Sequence, residues 1–300
     1  MDILRKIFRF FLWTGALLTV GGGSGLLGIL AVVYGMVYFG DDSALKRSTI
    51  MARINEETNI YMLDEQTQIG SIFADAHRRY VPIDEVPKHL IHALIAAEDK
   101  NFYTHHGIDP TAIVAAVAQY LQGGRMRGAS TLTQQTVRNI LGWWDPTMSR
   151  KFREWIAALQ LEKHYTKDEI LEFYLNQFHV SGNGRGVGIA AKYYFNKEVR
   201  ELDLVESAFI AGSVKGPSQY DPFIKFTREK RQKAMKRANS RKNYVLNRMR
   251  DQNLLTPDEF KVAWEQPVRF NRGEFRSRGG PRRSDPRGNG EKRSARSSGT

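Results

Sequence analysis

The chain has 300 residues, 41% of them apolar, enough to bury a core of ordinary size, and its formal net charge is +13. Residues 271–300 hold nine Arg or Lys against Glu274, Asp285 and Glu291, and this basic balance attracts polyanions without choosing among nucleic acid, anionic lipid headgroups and phosphorylated substrates. The absence of cysteine excludes disulfides, thiolate zinc sites and cysteine nucleophiles together.

The first predicted element is a transmembrane helix over residues 10–40, because Phe10 to Gly40 is a run of 31 residues without a charge, where roughly 20 suffice to cross a bilayer. A cleaved leader would show an apolar region of about 7 to 15 residues and a small-x-small exit, and neither is present. Arg5, Lys6 and Arg9 precede the run, and Asp41 and Asp42 follow it. The positive-inside rule therefore places residues 1–9 in the cytoplasm and the rest of the chain outside it. The stretch Gly21 to Gly25 falls mid-span, as a packing face, a kink or a weak point.

A polar connector, 41–57, leads to NIYMLDEQTQIGSIF (59–73), whose apolar runs flank Asp64-Glu65-Gln66 and predict a short hairpin. From Val86 the pattern is helical: VPKHLIHALIAAED sets Leu90, Leu94 and Ile95 on one face and ends on Glu98. Asp109-Pro110 reads as an N-cap with proline in the first helical position, opening a helix that stops at Gly123-Gly124. Ser130 is the next candidate cap, before TLTQQTVRNIL. A third helix, SRKFREWIAALQLEKHY, carries Met148, Phe152, Ile156 and Leu159 on one stripe, so that Arg150, Lys151 and Glu154 project elsewhere. Thr166 to Glu169 forms a capping box before ILEFYLNQF. SGNGRGVG (181–188) is a glycine loop, followed by helical IAAKYYF and LVESAFIAG. Beyond Val268 apolar periodicity ends, and residues 269–300 read as a disordered basic tail. The part after the span is thus expected to be mainly α, with one small β element.

The stretch AAEDKNFYTHHGIDP (96–110) admits a metal site, a catalytic carboxylate or an inert polar loop. His105 and His106 are adjacent rather than four apart and no HExxH occurs, so no metal site is expected. The glycine loop follows no strand and matches no phosphate-binding fingerprint. Ser43-Ala-Leu-Lys46 has the SxxK form of penicillin-reactive enzymes but no KTG downstream, and chance accounts for it. Glu98 lies among Ala96, Ala97, Phe102 and Tyr103, surroundings that desolvate a carboxylate and raise its pKa toward that of a general base. Taken alone, such a glutamate reads as a solvated helix end.

Its company alters that reading. EDKNFYTHHG, GASTLTQQ (128–135), RKFRE (150–154), KDEILEFYLNQ (167–177) and RGVGIAAKYYF (185–195) resemble, in this order, the five motifs of the peptidoglycan glycosyltransferase domain of class A penicillin-binding proteins and monofunctional transglycosylases. The first is met by Glu98, Asp99, Phe102, His105 and Gly107. The second is met by Gly128, Ser130, Thr131, Thr133, Gln134 and Gln135 and runs on to Arg138-Asn139, where the family commonly has lysine before the asparagine. Arg150, Lys151 and Glu154 meet the third; Lys167, Ile170, Leu171, Tyr174, Leu175 and Asn176 the fourth; Arg185, Gly186, Val187, Tyr194 and Phe195 the fifth. The resemblance covers roughly residues 58–265, and the domain is expected to span residues 58–268. One departure is Trp143 to Thr147, which lacks the basic residue that relatives often carry there.

The resemblance implies a lysozyme-like helical lobe with a small membrane-facing jaw, on the outer side of a bacterial inner membrane. It implies polymerisation of lipid II into β-1,4-linked glycan, with inversion and release of undecaprenyl pyrophosphate. Glu98 would be the base and Glu154 a second catalytic group that assists the leaving group directly or through a divalent cation, Mg or Mn; no cofactor is obligatory. Arg138, Lys151, Arg185 and Lys192 would clamp the pyrophosphate, while Asp99, Ser130, Thr133, Gln134, Gln135, Arg150 and Asn176 complete the substrate-binding set. Spacing alone gives Glu154 a plainer reading, an i,i+4 ion pair with Arg150. Expected partners are lipid II, the nascent strand, membrane lipids and other cell-wall synthesis proteins, not nucleic acid. A lytic enzyme cutting glycan with Glu98 as acid, and a noncatalytic membrane scaffold, are the alternatives.

Overall fold

A computed structural model describes residues 24–54, 58–61, 68–72, 80–123, 130–181 and 184–273. Among these, the elements are α1 (Ser24–Phe39), α2 (Arg47–Ile54), β1 (Thr58–Tyr61), β2 (Gln68–Ile72), α3 (Lys88–Glu98), α4 (Pro110–Leu121), α5 (Leu132–Leu141) and α6 (Met148–His164). There follow α7 (Lys167–Leu175), α8 (Val187–Phe195), α9 (Leu204–Ser213), α10 (Pro217–Tyr220), α11 (Arg228–Arg250) and α12 (Pro257–Glu265). The chain is mainly helical, as its periodicity predicts.

The predicted membrane span lies partly outside the described residues. Its second half is α1, and among the described residues no helix is long and apolar enough to cross a membrane. The last turns of α1 rest on α6, where Gln160 Nε2 donates to the Met36 carbonyl at 3.0 Å and the Lys163 ammonium lies over the Tyr38 ring.

Two strands lie where the hairpin is predicted, and their connection, residues 62–67, falls outside the described residues. β1 and β2 pair antiparallel, Thr58 opposite Ile72 and Asn59 opposite Ser71, with a register irregularity between Ile60 and Tyr61.

In the helical unit, α9 is deeply placed: Val205 through Ser213 are all buried, its apolar residues on several faces and its Glu206 paired with Lys197. It packs against α3 and α11, which also pack on each other. The α3 face predicted from Leu90, Leu94 and Ile95 is buried there. A second group joins α5 to α6 and α7. Phe209 of α9 meets Tyr194 and Phe195 of α8 and Phe270 edge to face, with Phe209 and Phe270 centroids 5.0 Å apart, and Phe195 stacks on Phe270. Asn271 N–H donates to the Tyr194 carbonyl at 2.9 Å, so the packed chain runs at least to residue 273, past the tail boundary expected at 268. Buried Lys242 donates to the carbonyls of Ala263, Trp264 and Gln266, closing the C-terminal end of α12 with three bonds from α11.

Two local expectations change. The α5 cap is Thr131, not Ser130: its Oγ accepts from Gln134 N–H and donates to the Gly107 carbonyl at 2.7 Å, a bridge that Ser130, one residue earlier, does not make. On α6 the apolar stripe is not the buried face. Met148 and Phe152 are exposed, and Glu154, Ala157, Ala158, Gln160 and Leu161 are buried instead. The reason is electrostatic, since Arg150 and Lys151 go in beside Glu154 and neutralise it. The caps at Asp109 and Thr166 stand as their spacing predicts, and Asp203, not read from the sequence, caps α9.

Candidate active site

The loop after α3 is fixed first. Asp99 Oδ2 accepts from Leu132 N–H at 2.7 Å and from His105 Nε2 at 2.9 Å, while Gly107 N–H donates to His105 Nδ1. These bonds define the imidazole as the Nε2–H tautomer. Gly107 has φ +84°, and a Cβ there would lie 2.8 Å from the Ala158 carbonyl oxygen, so only glycine lets the loop approach α6 this closely. Asp99 and His105 are buried in this network and hold the loop against the start of α5. The geometry makes Asp99 a positioning group whose carboxylate faces protein.

Glu98, by contrast, is turned toward α5 and α11. Its side chain is 13% exposed and Oε1 lies 3.6 Å from Arg241 Nη2. Burial pushes its carboxyl above the ordinary range; Lys215, then Arg241, a hydrogen bond from Gln135 and the charge of Arg138 pull it back only in part. The Tyr174 hydroxyl donates to Gln135 Oε1 at 3.4 Å, which leaves the Gln135 amide nitrogen for Glu98.

A second cluster gathers around Lys151 and Glu154. Lys151 Nζ donates to Ser130 Oγ at 2.9 Å, Gln134 Oε1 at 2.6 Å and Glu154 Oε2 at 3.1 Å. Arg150 Nη1 takes the other Glu154 oxygen, and Glu154 is fully buried. Burial lowers the Lys151 pKa, Glu154 opposes that, and Arg138 and Arg150 add to it by repulsion. Arg138 thus faces both glutamates' surroundings. Its Nε is buried with no hydrogen-bond partner, and its guanidinium lies over the Trp144 ring. Trp143 in the same loop carries Arg153, so arginines from neighbouring helices flank the segment that lacks its own basic residue.

The other predicted residues sit elsewhere. Thr133 Oγ donates to Glu162 at 2.7 Å and is buried. Asn176 exchanges hydrogen bonds with both backbone groups of Val81 at 2.9 Å, which ties α7 to the chain before α3. Arg185 reaches Gln177 Oε1 at 3.5 Å and, with Ile54, Tyr80 and Asn176, lines a pocket that neither Glu98 nor Lys151 borders. A Cβ on Gly186, at φ +87°, would meet the Asn176 carbonyl at 2.9 Å, which keeps that turn tight. Lys192 is half-buried in the last turn of α8. Among the described residues, no group of three or more acidic or histidine side chains is arranged to hold a metal ion.

Lys215 and Arg241 were not among the sequence-predicted residues. Lys215 follows α9 in SVKGP and Arg241 is one of ten basic residues in the 23 of α11, so neither composition nor spacing marks them out.

The constellation is a partly desolvated carboxylate facing cations, together with a cluster of positive charge drawn together by its own buried glutamate. Such a site can remove a proton from a weak nucleophile and stabilise an anionic leaving group. A family model described as Transglycosylase matches residues 65–250. The chain is 41% identical over 215 residues to penicillin-binding protein 1A of Rickettsia conorii, covering 70% of this chain and 26% of that protein. It is 31% identical over 264 residues to penicillin-binding protein 1A of Pseudomonas aeruginosa, covering 88% and 30%. The crystal structure of penicillin-binding protein 1A from Haemophilus influenzae is matched at 25% identity and TM-score 0.39, over 73% of this chain and 22% of that one. The chain spans about a quarter to a third of the length of the curated relatives it matches. It belongs to the transglycosylase family, that of the peptidoglycan glycosyltransferase domains of class A penicillin-binding proteins.

Proposed function

We propose that the chain is a membrane-anchored peptidoglycan glycosyltransferase that polymerises lipid II, with Glu98 as general base. The observation that supports this most is the setting of Glu98: a carboxylate largely withdrawn from solvent, with Gln135 and Arg241 beside it and Arg138 acting electrostatically on both Glu98 and Lys151. Glu98 takes the proton from the 4-hydroxyl of the incoming lipid II. That oxygen attacks the anomeric carbon of the growing chain from the face opposite the pyrophosphate. The carbon–oxygen bond to pyrophosphate breaks, its electron pair leaves with undecaprenyl pyrophosphate, and the configuration inverts to β. The proton passes from Glu98 to solvent. Positioned base catalysis contributes about 10² to 10⁴ in rate.

Arg138, Arg150 and Lys151 receive the leaving charge, while Arg185 and Lys192 make no contact with this cluster among the described bonds. Glu154 keeps Arg150 and Lys151 close together despite their repulsion. Both its oxygens are already held by those cations, so no step is assigned to a divalent cation. Ser130 and Gln134 orient the Lys151 ammonium and offer polar groups to the substrate. The anchor is residues 10–40, the catalytic domain is residues 58–268 with its packed extension, in a lysozyme-like lobe and a jaw facing the membrane. The exposed Trp144, Met148 and Phe152 support a lipid-facing role for that jaw. Activity of reporter fusions placed after residue 50 tests the anchor, since cytoplasmic activity contradicts it.

The function is tested by incubating the purified full chain with lipid II. Glycan polymer is the expected product; soluble anhydro-sugars would assign a lytic enzyme, and unchanged lipid II a noncatalytic scaffold.

A further inference from the structure

We propose that Arg241 of α11, outside all five motifs, is the positioning residue that orients Glu98 as a carboxylate. The proposal rests on the reading of Glu98 as the base. Arg241 and Glu98 approach to 3.6 Å with side chains 14% and 13% exposed, so the pair is largely withdrawn from solvent screening.

Arg241 is built into its place from three directions. Its Nε donates to the Gly212 carbonyl at 2.8 Å, in the last turn of α9, where a helix leaves its carbonyls without intrahelical partners. Its guanidinium lies over the Tyr244 ring at 4.5 Å. Its aliphatic stem crosses Gly212 so closely that a Cβ there would stand 2.9 Å from Arg241 Cγ. A planar fork can donate to a carbonyl through Nε, stack on a ring and present Nη2 to a carboxylate at once, whereas an ammonium cannot. The packing of α9 against both α3 and α11 transmits this fixed geometry to the end of α3, where Glu98 sits.

The groups that face Glu98 are Gln135 and Arg138 from α5, Lys215 after α9 and Arg241 from α11. Tyr174 of α7 lies close enough for the Glu98 charge to push its hydroxyl further up. Burial favours the protonated acid, and the cations favour the carboxylate. Lys215 exerts the larger charge effect on Glu98, but Arg241 is the cation at 3.6 Å and is fixed by groups with no other part in the site. A base must be ionised before it can act, so removing Arg241 moves the pH range of the enzyme rather than its ceiling.

The test uses the full chain in detergent, carboxyl-¹³C-labelled at glutamate, with the Glu98 signal assigned by its loss in Glu98→Gln. Arg241→Met is expected to move the Glu98 titration midpoint to higher pH, and Arg241→Lys to return it partway. In parallel, lipid II polymerisation by Arg241→Met should fall about tenfold on the acid side and about twofold or less at high pH. An unmoved midpoint in folded Arg241→Met, or in Arg241→Lys should the first variant fail to fold, overturns the proposal. So does a rate loss equal at every pH, the mark of a merely structural residue. Full polymerisation by Glu98→Gln would remove the base reading instead, and the titration would still judge the coupling of Arg241 to Glu98.

Discussion

Two glutamates, Glu98 facing Gln135 of α5 and Glu154 bonded to Lys151, are treated oppositely. Glu154 is fully buried with a cation on each oxygen, Arg150 and Lys151, and its charge is satisfied within α6. Glu98 is 13% exposed, and its nearest cation is 3.6 Å away on another helix. Its burial outweighs the help it receives, so its carboxyl stays above the ordinary range. The number of partners separates a charge that serves the framework from one that suits the proposed base. A group with all its bonds made holds structure, and a group left short of partners has affinity for a proton.

Replacing each in turn is the way to break that comparison. Glu98→Gln should lower polymerisation by at least about 10², or roughly 2.7 kcal/mol or more in barrier, while binding of a lipid-pyrophosphate analogue survives. Its effect on stability should have the other sign. A carboxyl whose pKa is raised by folding is stabilising in its protonated form, and that contribution is lost as pH rises through the ordinary glutamate range to the folded value. At neutral pH Glu98→Gln should therefore melt at or above the wild-type temperature. Lost analogue binding with intact fold would assign Glu98 to binding instead.

Glu154→Gln should do the reverse. It leaves Arg150 and Lys151 facing each other, and a stability loss of about 3 kcal/mol is expected, at the lower end for a broken buried pair because both cations keep some solvent contact. Denaturant unfolding measures it; a loss below about 1 kcal/mol would contradict the framework role.

Asp99→Asn sharpens the contrast at the adjacent residue. It weakens the bonds to Leu132 N–H and His105, and about 1 to 2 kcal/mol of stability should go with them. Turnover should fall less than in Glu98→Gln at matched folding, and an equal or larger loss would place Asp99 in the chemistry.

The sequence made much of this legible where the signal is local. Leu90, Leu94 and Ile95 gave the buried face of α3, Thr166 and Glu169 the capping box, and Asp109-Pro110 the start of α4. The five motifs brought Glu98, Gln135, Arg138, Lys151 and Glu154 into view before their proximity was known. What periodicity could not show was that α6 buries its charges and exposes Met148 and Phe152, because hydrophobic patterning does not register charges that neutralise one another. Nor could it choose Thr131 over Ser130, since both hydroxyls can cap and the choice lies with the distant Gly107 carbonyl. Arg241 stayed hidden among similar residues because its role depends on α9 and α3, far from it in the chain.

The most direct test of the central claim is the pH dependence of lipid II polymerisation by wild type and Glu98→Gln, at saturating substrate. The account predicts an acid limb in the wild type above the ordinary glutamate range of about 4.3, and a residual rate in Glu98→Gln that no longer shows it. An acid limb that persists at the same midpoint in Glu98→Gln would mean that another group is the base, and would contradict the account.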